Sequence, residues 1–284
     1  LRNLHGYTLG WRRDLPDFRD QTAATESVHR LLAKSAAVRR GARKTPAKVD
    51  LRPWCSRIED QGRLGACTAH AGVGMLEYFE RRTTGKYLNA SRLFLYKVAR
   101  QLGGIRGDEG TTLRDTMKAM VLFGVPPEHY WPYEVDRYDD DPSAFCFSFA
   151  QNYQALQYYR LDPSGTSAEQ VLAALKQHLA AGFPAMFGFS VYSSMPAPGD
   201  GSGAIPLPGR GDSLIGGHAV LAVGYDDSRR IGGEQGALLV RNSWGREWGE
   251  EGYGWLPYAY LRHGLAGDFW SMVRAEFVDT DLFK

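Results

Sequence analysis

The apolar periodicity of this chain changes once, near Gln151, and that change restricts the fold more than any other feature. Before it, apolar residues recur at helical spacing. Residues 67–85 carry Ala69, Val73, Leu76 and Phe79 on one face, and 91–100 continue the pattern. Residues 111–124 set Leu113, Met117 and Val121 inward until Pro126-Pro127 stops the run. After the change, Ser167-Ala-Glu-Gln170 reads as a capping box that opens one helix, closed by Gly182 and Pro184. Strand-like runs then follow at 185–192, 218–225, 237–242, 252–260 and 270–277. Helices in one half and strands in the other predict an α+β fold. A helical lobe spans 49–150 and a β-rich lobe 151–284, with an extension at 1–48.

Chemistry-bearing residues fall in both halves. Gln61-Gly-Arg-Leu-Gly-Ala-Cys67 runs into the first helix, and His218 opens a strand-like run. A cysteine at a helix start faces unpaired backbone N–H groups and the positive end of the helix dipole, which favour thiolate. Cys67 therefore reads as a nucleophile and His218 as its base. Asn242 can accept a hydrogen bond from the second ring nitrogen and fix the imidazole. Trp244, two residues on, can cover that bond. The backbone N–H of Cys67 and the side-chain amide of Gln61 are the candidate donors to an oxyanion. Taken singly, each has an ordinary structural reading: a buried small thiol, a core histidine, a turn. Their joint occurrence carries the argument.

At these residues the chain resembles the papain-like cysteine peptidases. The resemblance runs from about Val49 to the C-terminus. It rests on Val49-Asp-Leu-Arg52, Gln61-Gly62, Gly65-Ala-Cys67, His218-Ala-Val-Leu-Ala-Val-Gly-Tyr225, Asn242-Ser-Trp-Gly245 and Trp248-Gly-Glu-Glu-Gly-Tyr253. It implies a two-lobe fold with a helical lobe, a β-barrel-like lobe and a cleft between them. It also implies cysteine endopeptidase activity through a thioester, on protein or peptide substrates, with no cofactor and no metal. The departures are Leu64, where the family usually has a cysteine, and Thr68, where an aromatic usually follows the nucleophile. The stretch 226–235 is extra and reads as a longer hairpin loop. In the segment resembling the family's paired-glycine substrate rail, only Gly110 falls on the rail, and Glu109 replaces its neighbour. Gly110, Glu109, Gly217, Ala219 and Trp244 are the candidate substrate-binding residues. Ala219 leaves room for a bulky apolar side chain, and Glu109 would attract a basic one. The alternatives are another Cys–His amidase or acyl transferase, and an inactive binding module on the same fold.

Charge is distributed unevenly. The net charge is +2, yet residues 1–48 hold eleven Lys or Arg against four Asp or Glu, which leaves the rest at −5. A basic arm on an acidic body predicts docking in cis. Mixed signs at Arg12-Arg-Asp14 and Asp17-Phe-Arg-Asp20 argue against a nucleic-acid arm. Gly6-Tyr7 and Gly10-Trp11 supply aromatics that could lie in a groove, residues 26–40 read as a short amphipathic helix, and 41–46 as a linker and possible processing site. The expectation is an arm that occludes the cleft in part; the alternative is a surface strap. No apolar run approaches a membrane span. The start at Leu1 shows no secretion-type stretch, which decides little; export is the favoured compartment, and a monomer is expected. With Cys67 free, Cys55 and Cys146 are the one pair that could form a disulfide. Asp139-Asp-Asp141 reads as a solvated turn ahead of a calcium site, and the absence of CxxC and HExxH argues against zinc.

Overall fold

The computed structural model describes residues 2–34, 45–155 and 157–273. Helix α2 (Cys67–Thr84) is central, buried from Cys67 through Phe79. It ends where Gly85 turns to φ 71° and returns its N–H to the Arg81 carbonyl. Its two internal glycines cost helix propensity. Gly74 lies where the Arg241 guanidinium crosses, so any side chain there would collide with it. Helix α3 (Arg92–Leu102) starts at Ser91, whose hydroxyl accepts from the Phe94 N–H. Helix α4 (Leu113–Leu122) starts at Thr112 in the same way, with Asp115 N–H as donor. A short helix α5 (Ala144–Ala150) completes this half.

The β-rich half is built on strands β6 (Gln157–Arg160), β7 (Ala185–Tyr192), β8 (Leu214–Ile231), β9 (Glu234–Arg241), β10 (Tyr253–Pro257) and β11 (Ala266–Val273). Helix α6 (Ala168–Ala181) carries the expected capping box at Ser167 and Gln170 and packs on β8. The strand order is β10-β9-β8-β7-β11-β6, and a further strand, β4 (Lys48–Asp50), pairs with β8 at Val49↔Tyr225. The fold is α+β as expected, but the sheet is open, with β10 and β6 at its edges. The stretch 226–235 is not a loop. Strands β8 and β9 continue through it, with Asp226 opposite Ala237 and Ile231 opposite Glu234, and close in a tight turn at Gly232-Gly233. The expected strand at 252–260 splits: Pro257 ends β10 and a four-residue helix, α7 (Ala259–Arg262), follows. Residues 274–277 of the last run lie outside the described residues.

The extension opens with a hairpin, β1 (Arg2–Leu4) against β2 (Tyr7–Leu9). Strand β3 (Trp11–Arg12) then pairs in parallel with β5 (Thr111–Thr112). Helix α1 (Glu26–Lys34) buries Val28 and Leu32. The rest of the expected helix, and residues 41–44 of the linker, lie outside the described residues. Lys48 pairs with Asp226 of the body in the expected sense at 3.0 Å, but the ion pairs of residues 14–20 run opposite to the net-charge expectation. Here the arm supplies acids, Asp14 and Asp20, and the body supplies Arg114 and Arg160. Cys55, Cys67 and Cys146 are all free thiols, so Cys55 and Cys146 do not pair. Asp139 engages Lys97 and Arg100, and Asp141 engages Lys97. Among the described residues no cluster of three His, Cys, Asp or Glu could hold a metal ion, and no helix is long and apolar enough to cross a membrane.

Candidate active site

The turn before α2 is clamped from both halves of the chain. Gln61 N–H donates to the Ser243 carbonyl at 2.9 Å, and Gly65 N–H donates to Asp108 Oδ1 at 2.9 Å. These bonds fix Cys67 as the first residue of the helix. The Ala219 N–H, one residue past His218, is directed at the Cys67 sulfur. The thiol and the imidazole strand therefore meet, although 151 positions separate the two residues.

The ring of His218 has a determined tautomer. Asn242 accepts the Ser243 N–H at 2.9 Å through Oδ1, a contact only an oxygen can make. The same Oδ1 lies 2.7 Å from His218 Nε2, so Nε2 must carry the proton in the neutral ring. Nδ1 is left with a lone pair and has no hydrogen-bond partner. Trp244 lies beside this pair, its ring 4.9 Å from the imidazole.

Gln61 is held with equal definition. Its Oε1 accepts the Ser243 hydroxyl at 2.6 Å, so its Nε2 must be the donor. Nε2 donates to the Leu64 carbonyl at 2.9 Å and to the carbonyl of Thr8 at 2.9 Å. Thr8 belongs to the extension, and so do other groups that line this site. Tyr7 stacks on Trp244 with centroids 4.9 Å apart and donates to the Trp244 carbonyl. The Gly10 N–H is directed at the Cys67 sulfur. The Gly10 carbonyl accepts the Thr111 N–H at 3.0 Å. A side chain on Gly10 would overlap the Gly65 carbonyl, so only glycine fits this crossing.

Burial dominates the electrostatics. Cys67 and His218 have no exposed surface. The Cys67 thiol is pushed up to about 11, first by burial, against the pull of backbone N–H groups from Ala219, Gly10, Thr68 and Cys67 itself. His218 is pushed down to about 4, again first by burial, with the Asn242 bond opposing. The helix start alone predicts thiolate; burial reverses that preference here.

The candidate substrate-binding residues are partly gathered. Gly110 takes φ 67°, which favours glycine, and its Cα faces the Gly10 carbonyl. Gly217 packs under Trp11, and Ala219 is buried beside the sulfur. Glu109 is exposed; the neighbouring Asp108 is the carboxylate that turns inward, accepting from Gly65 N–H and the Tyr96 hydroxyl.

A family model described as "Papain family cysteine protease" matches residues 45–263. The chain belongs to the papain family of cysteine proteases. It is a hydrolase of the thiol type. It is 34% identical over 216 residues to the uncharacterized peptidase C1-like protein L477 of Acanthamoeba polyphaga mimivirus, covering 74% of this chain and 68% of that one. Cathepsin K of Gallus gallus is 29% identical over 215 residues, covering 74% of this chain and 58% of its own length. Among solved structures, xylellain, a cysteine protease from Xylella fastidiosa, superposes with a TM-score of 0.77 at 36% identity over 97% of this chain and 98% of the other.

Leu64, which stands in sequence where the family usually has a cysteine, is buried. Thr68 is buried, and its hydroxyl has no hydrogen-bond partner. The sequence reading passed over Ser243, which orients both Gln61 and Asn242. Its signal was position alone, between Asn242 and Trp244. It also passed over Thr8, whose contribution is a backbone carbonyl that any residue would supply.

Proposed function

We propose that this papain-family protease is an endopeptidase in which Cys67 is the nucleophile, His218 the base and then the acid, and Asn242 the orienter. The Cys67 sulfur attacks the scissile carbonyl carbon, and the thiol proton passes to His218 Nδ1. The oxyanion accepts from Gln61 Nε2 and the Cys67 N–H. The imidazolium returns its proton to the departing amine, leaving a thioester. A water then attacks the thioester, gives its proton to Nδ1, and the carboxylic acid leaves as the thiol re-forms. The observation that carries this reading is the fixed imidazole: an oxygen that must accept from Nε2 leaves Nδ1 as the basic nitrogen, with no other partner.

The extension is read as an inhibitory arm that docks in cis. It occupies the groups that a substrate would need: the Gln61 amide, the Thr111 N–H and the sulfur itself. It presents the sulfur with the Gly10 N–H, while the Gly10 carbonyl is turned to Thr111. Gly110, Gly217, Ala219 and Trp244 are proposed to border the substrate, and Glu109 to stand at its exposed edge. On this reading residues 1–48 form the arm, 49–150 and 151–284 the two lobes.

Two measurements test this. Cys67→Ala should abolish release of new amino termini from a protein substrate; a wild-type-like rate would refute the assignment. Turnover of the chain with and without residues 1–12 should differ, the shorter form being faster; equal rates would reject the inhibitory role.

A further inference from the structure

Gly10 of the arm is in tight contact with two segments at once. One is the turn before α2: a side chain on Gly10 would overlap the Gly65 carbonyl. The other is the loop that leads into β5: a side chain on Gly110 would overlap the Gly10 carbonyl. Thr111 N–H donates to that carbonyl at 3.0 Å, and the Gly10 N–H faces the Cys67 sulfur. Backbone seated on Thr111 therefore reaches the sulfur only while turn and loop keep one separation.

One line of hydrogen bonds joins the two segments. Gly110 N–H donates to the Tyr96 hydroxyl oxygen at 3.1 Å. Tyr96 donates to Asp108 Oδ1 at 2.5 Å, and Gly65 N–H donates to the same oxygen at 2.9 Å. The directions are forced. A backbone N–H only donates, so the single proton of Tyr96 must go to Asp108. Burial first, then Asp108, hold the Tyr96 hydroxyl well above its ordinary pKa, so that proton stays. Bonds in series within a buried region polarise one another. The anchor for this line is α3. Tyr96 and Arg100 stand one turn apart on it and share a face. Both are buried. The Arg100 guanidinium lies 4.6 Å from the Tyr96 ring centroid and donates to the Gly107 carbonyl. Helix α3 thus holds the loop at Gly107 through Arg100 and at Gly110 through Tyr96.

We infer that Tyr96 and Asp108 are positioning residues: together they form a strut that sets the separation between the nucleophile turn and the loop 107–111. They act through Gly65 and Gly110, not on the reacting atoms. The inference rests on the peptidase reading above and adds to it the residues that align its two sides. Without the strut, thiol and imidazole keep their own partners, but backbone seated on the loop is no longer delivered to the sulfur. Misplacement by about 1 Å can cost on the order of 10²-fold. The same separation grips the arm, so a loosened strut also lets the arm leave more readily.

The test uses the full-length chain and needs no turnover from it. Tyr96→Phe keeps the ring under Arg100 and removes only the hydroxyl. Asp108→Asn keeps an oxygen that can accept from both donors, and Asp108→Leu keeps none. The first readout is hydrogen exchange of the Gly65 amide, which Tyr96 does not bond. In Tyr96→Phe the carboxylate loses the donor that aims it, so Gly65 should exchange roughly 5- to 10-fold faster, the scale of one hydrogen bond, with the amides of α6 unchanged. The second readout is the rate of Cys67 labelling by a peptidyl epoxide divided by the rate with iodoacetamide. Both reagents need the arm open, so the ratio cancels opening and reports alignment of the bound backbone with the thiol. It should fall about tenfold or more in Tyr96→Phe and Asp108→Leu and stay near wild type in Asp108→Asn, while the iodoacetamide rate itself rises in the first two. Gly65 exchange that does not move, α6 amides that speed equally, or asparagine as damaging as leucine overturns the strut and leaves the peptidase reading standing. A wild-type chain whose Cys67 takes the peptidyl epoxide no faster than iodoacetamide removes the peptidase reading and the strut's role with it, and that result appears before any substitution is made.

Discussion

Asp14 makes docking of the arm depend on pH, in the direction opposite to activation by acid. Its side chain has no exposed surface. It faces Arg114 of α4 at 3.9 Å, Arg160 of β6 at 3.7 Å, Trp270 of β11 at 2.8 Å and the carboxylate of Asp268; Asp20 of the arm shares the same two arginines. Burial, then Asp268, push its carboxyl up from 3.8 to about 6, against the Trp270 bond and Arg114. A released arm returns Asp14 to an ordinary carboxyl. The docked state therefore binds the proton more tightly than the free arm does. Its contribution to docking is full below pH 3.8 and is lost as pH rises through about 6. The shift is worth about 3 kcal/mol, so docking should weaken roughly 100-fold between pH 4 and pH 7. The readout is hydrogen exchange of the Thr111 amide, which donates to Gly10 of the arm, corrected for intrinsic rate, in full-length Cys67→Ala protein. Protection should fall with pH in that chain and stay flat when Asp14→Asn is added. Protection that rises with pH, or falls equally with asparagine at 14, would refute the reasoning.

Removing residues 1–12 should lower the pH midpoint of Cys67 alkylation well below about 11, because burial is the first cause of that value and the Ala219 N–H and the helix start remain to favour thiolate; an unmoved midpoint counts against it. Gly10→Ala pushes a methyl into the Gly65 carbonyl, so overpacking of about 1–3 kcal/mol should loosen the arm and speed Cys67 labelling roughly 5- to 100-fold. Slower labelling would contradict the crossing described. Gln61→Ala should reduce kcat by about 10²–10³ with little change in KM, since its donor acts on the transition state; a pure KM defect would show that the amide only binds. Asn242→Ala should slow turnover less than His218→Ala, and the reverse order would dispose of the orienter role.

Much of this was legible in the sequence because local chemistry and tertiary structure agree. Ser91, Thr112 and Ser167 read as helix starts and act as caps. The catalytic candidates were legible because each of Cys67, His218, Asn242 and Gln61 brings a side-chain chemistry of its own. The stretch 226–235 misled for a physical reason. Its charges and glycines suit a loop, yet β8 and β9 run on through the charged residues, and Gly232 and Gly233 sit only at the turn. Asp268 and Gly188 carried no signal, since an acid in a strand-like run and a glycine between phenylalanines acquire meaning only once Trp11 lies against both.

The arm shows why net charge predicts attraction but not contact. A surplus of seven positive charges on an acidic body sets the sign of the long-range field, and that field is screened over about 8–10 Å in ordinary salt. Docking itself is decided within hydrogen-bond range, where desolvation dominates. There residues 7–20 of the arm use neutral groups and acids: Thr8 and Gly10 backbone, Tyr7 and Trp11 rings, and the carboxylates of Asp14 and Asp20 against two arginines. Its own Arg19 and Arg30 pair within the arm, and Arg2 and Arg13 reach only backbone carbonyls of the body. Substituting Arg2 and Arg13 should therefore change the salt dependence of docking more than its strength. Substituting Asp20 should remove a counter-charge from Arg114 and Arg160 and weaken docking at every salt concentration. If high salt released the arm as completely as loss of Asp20 does, the contact-range account would be wrong and the long-range one right.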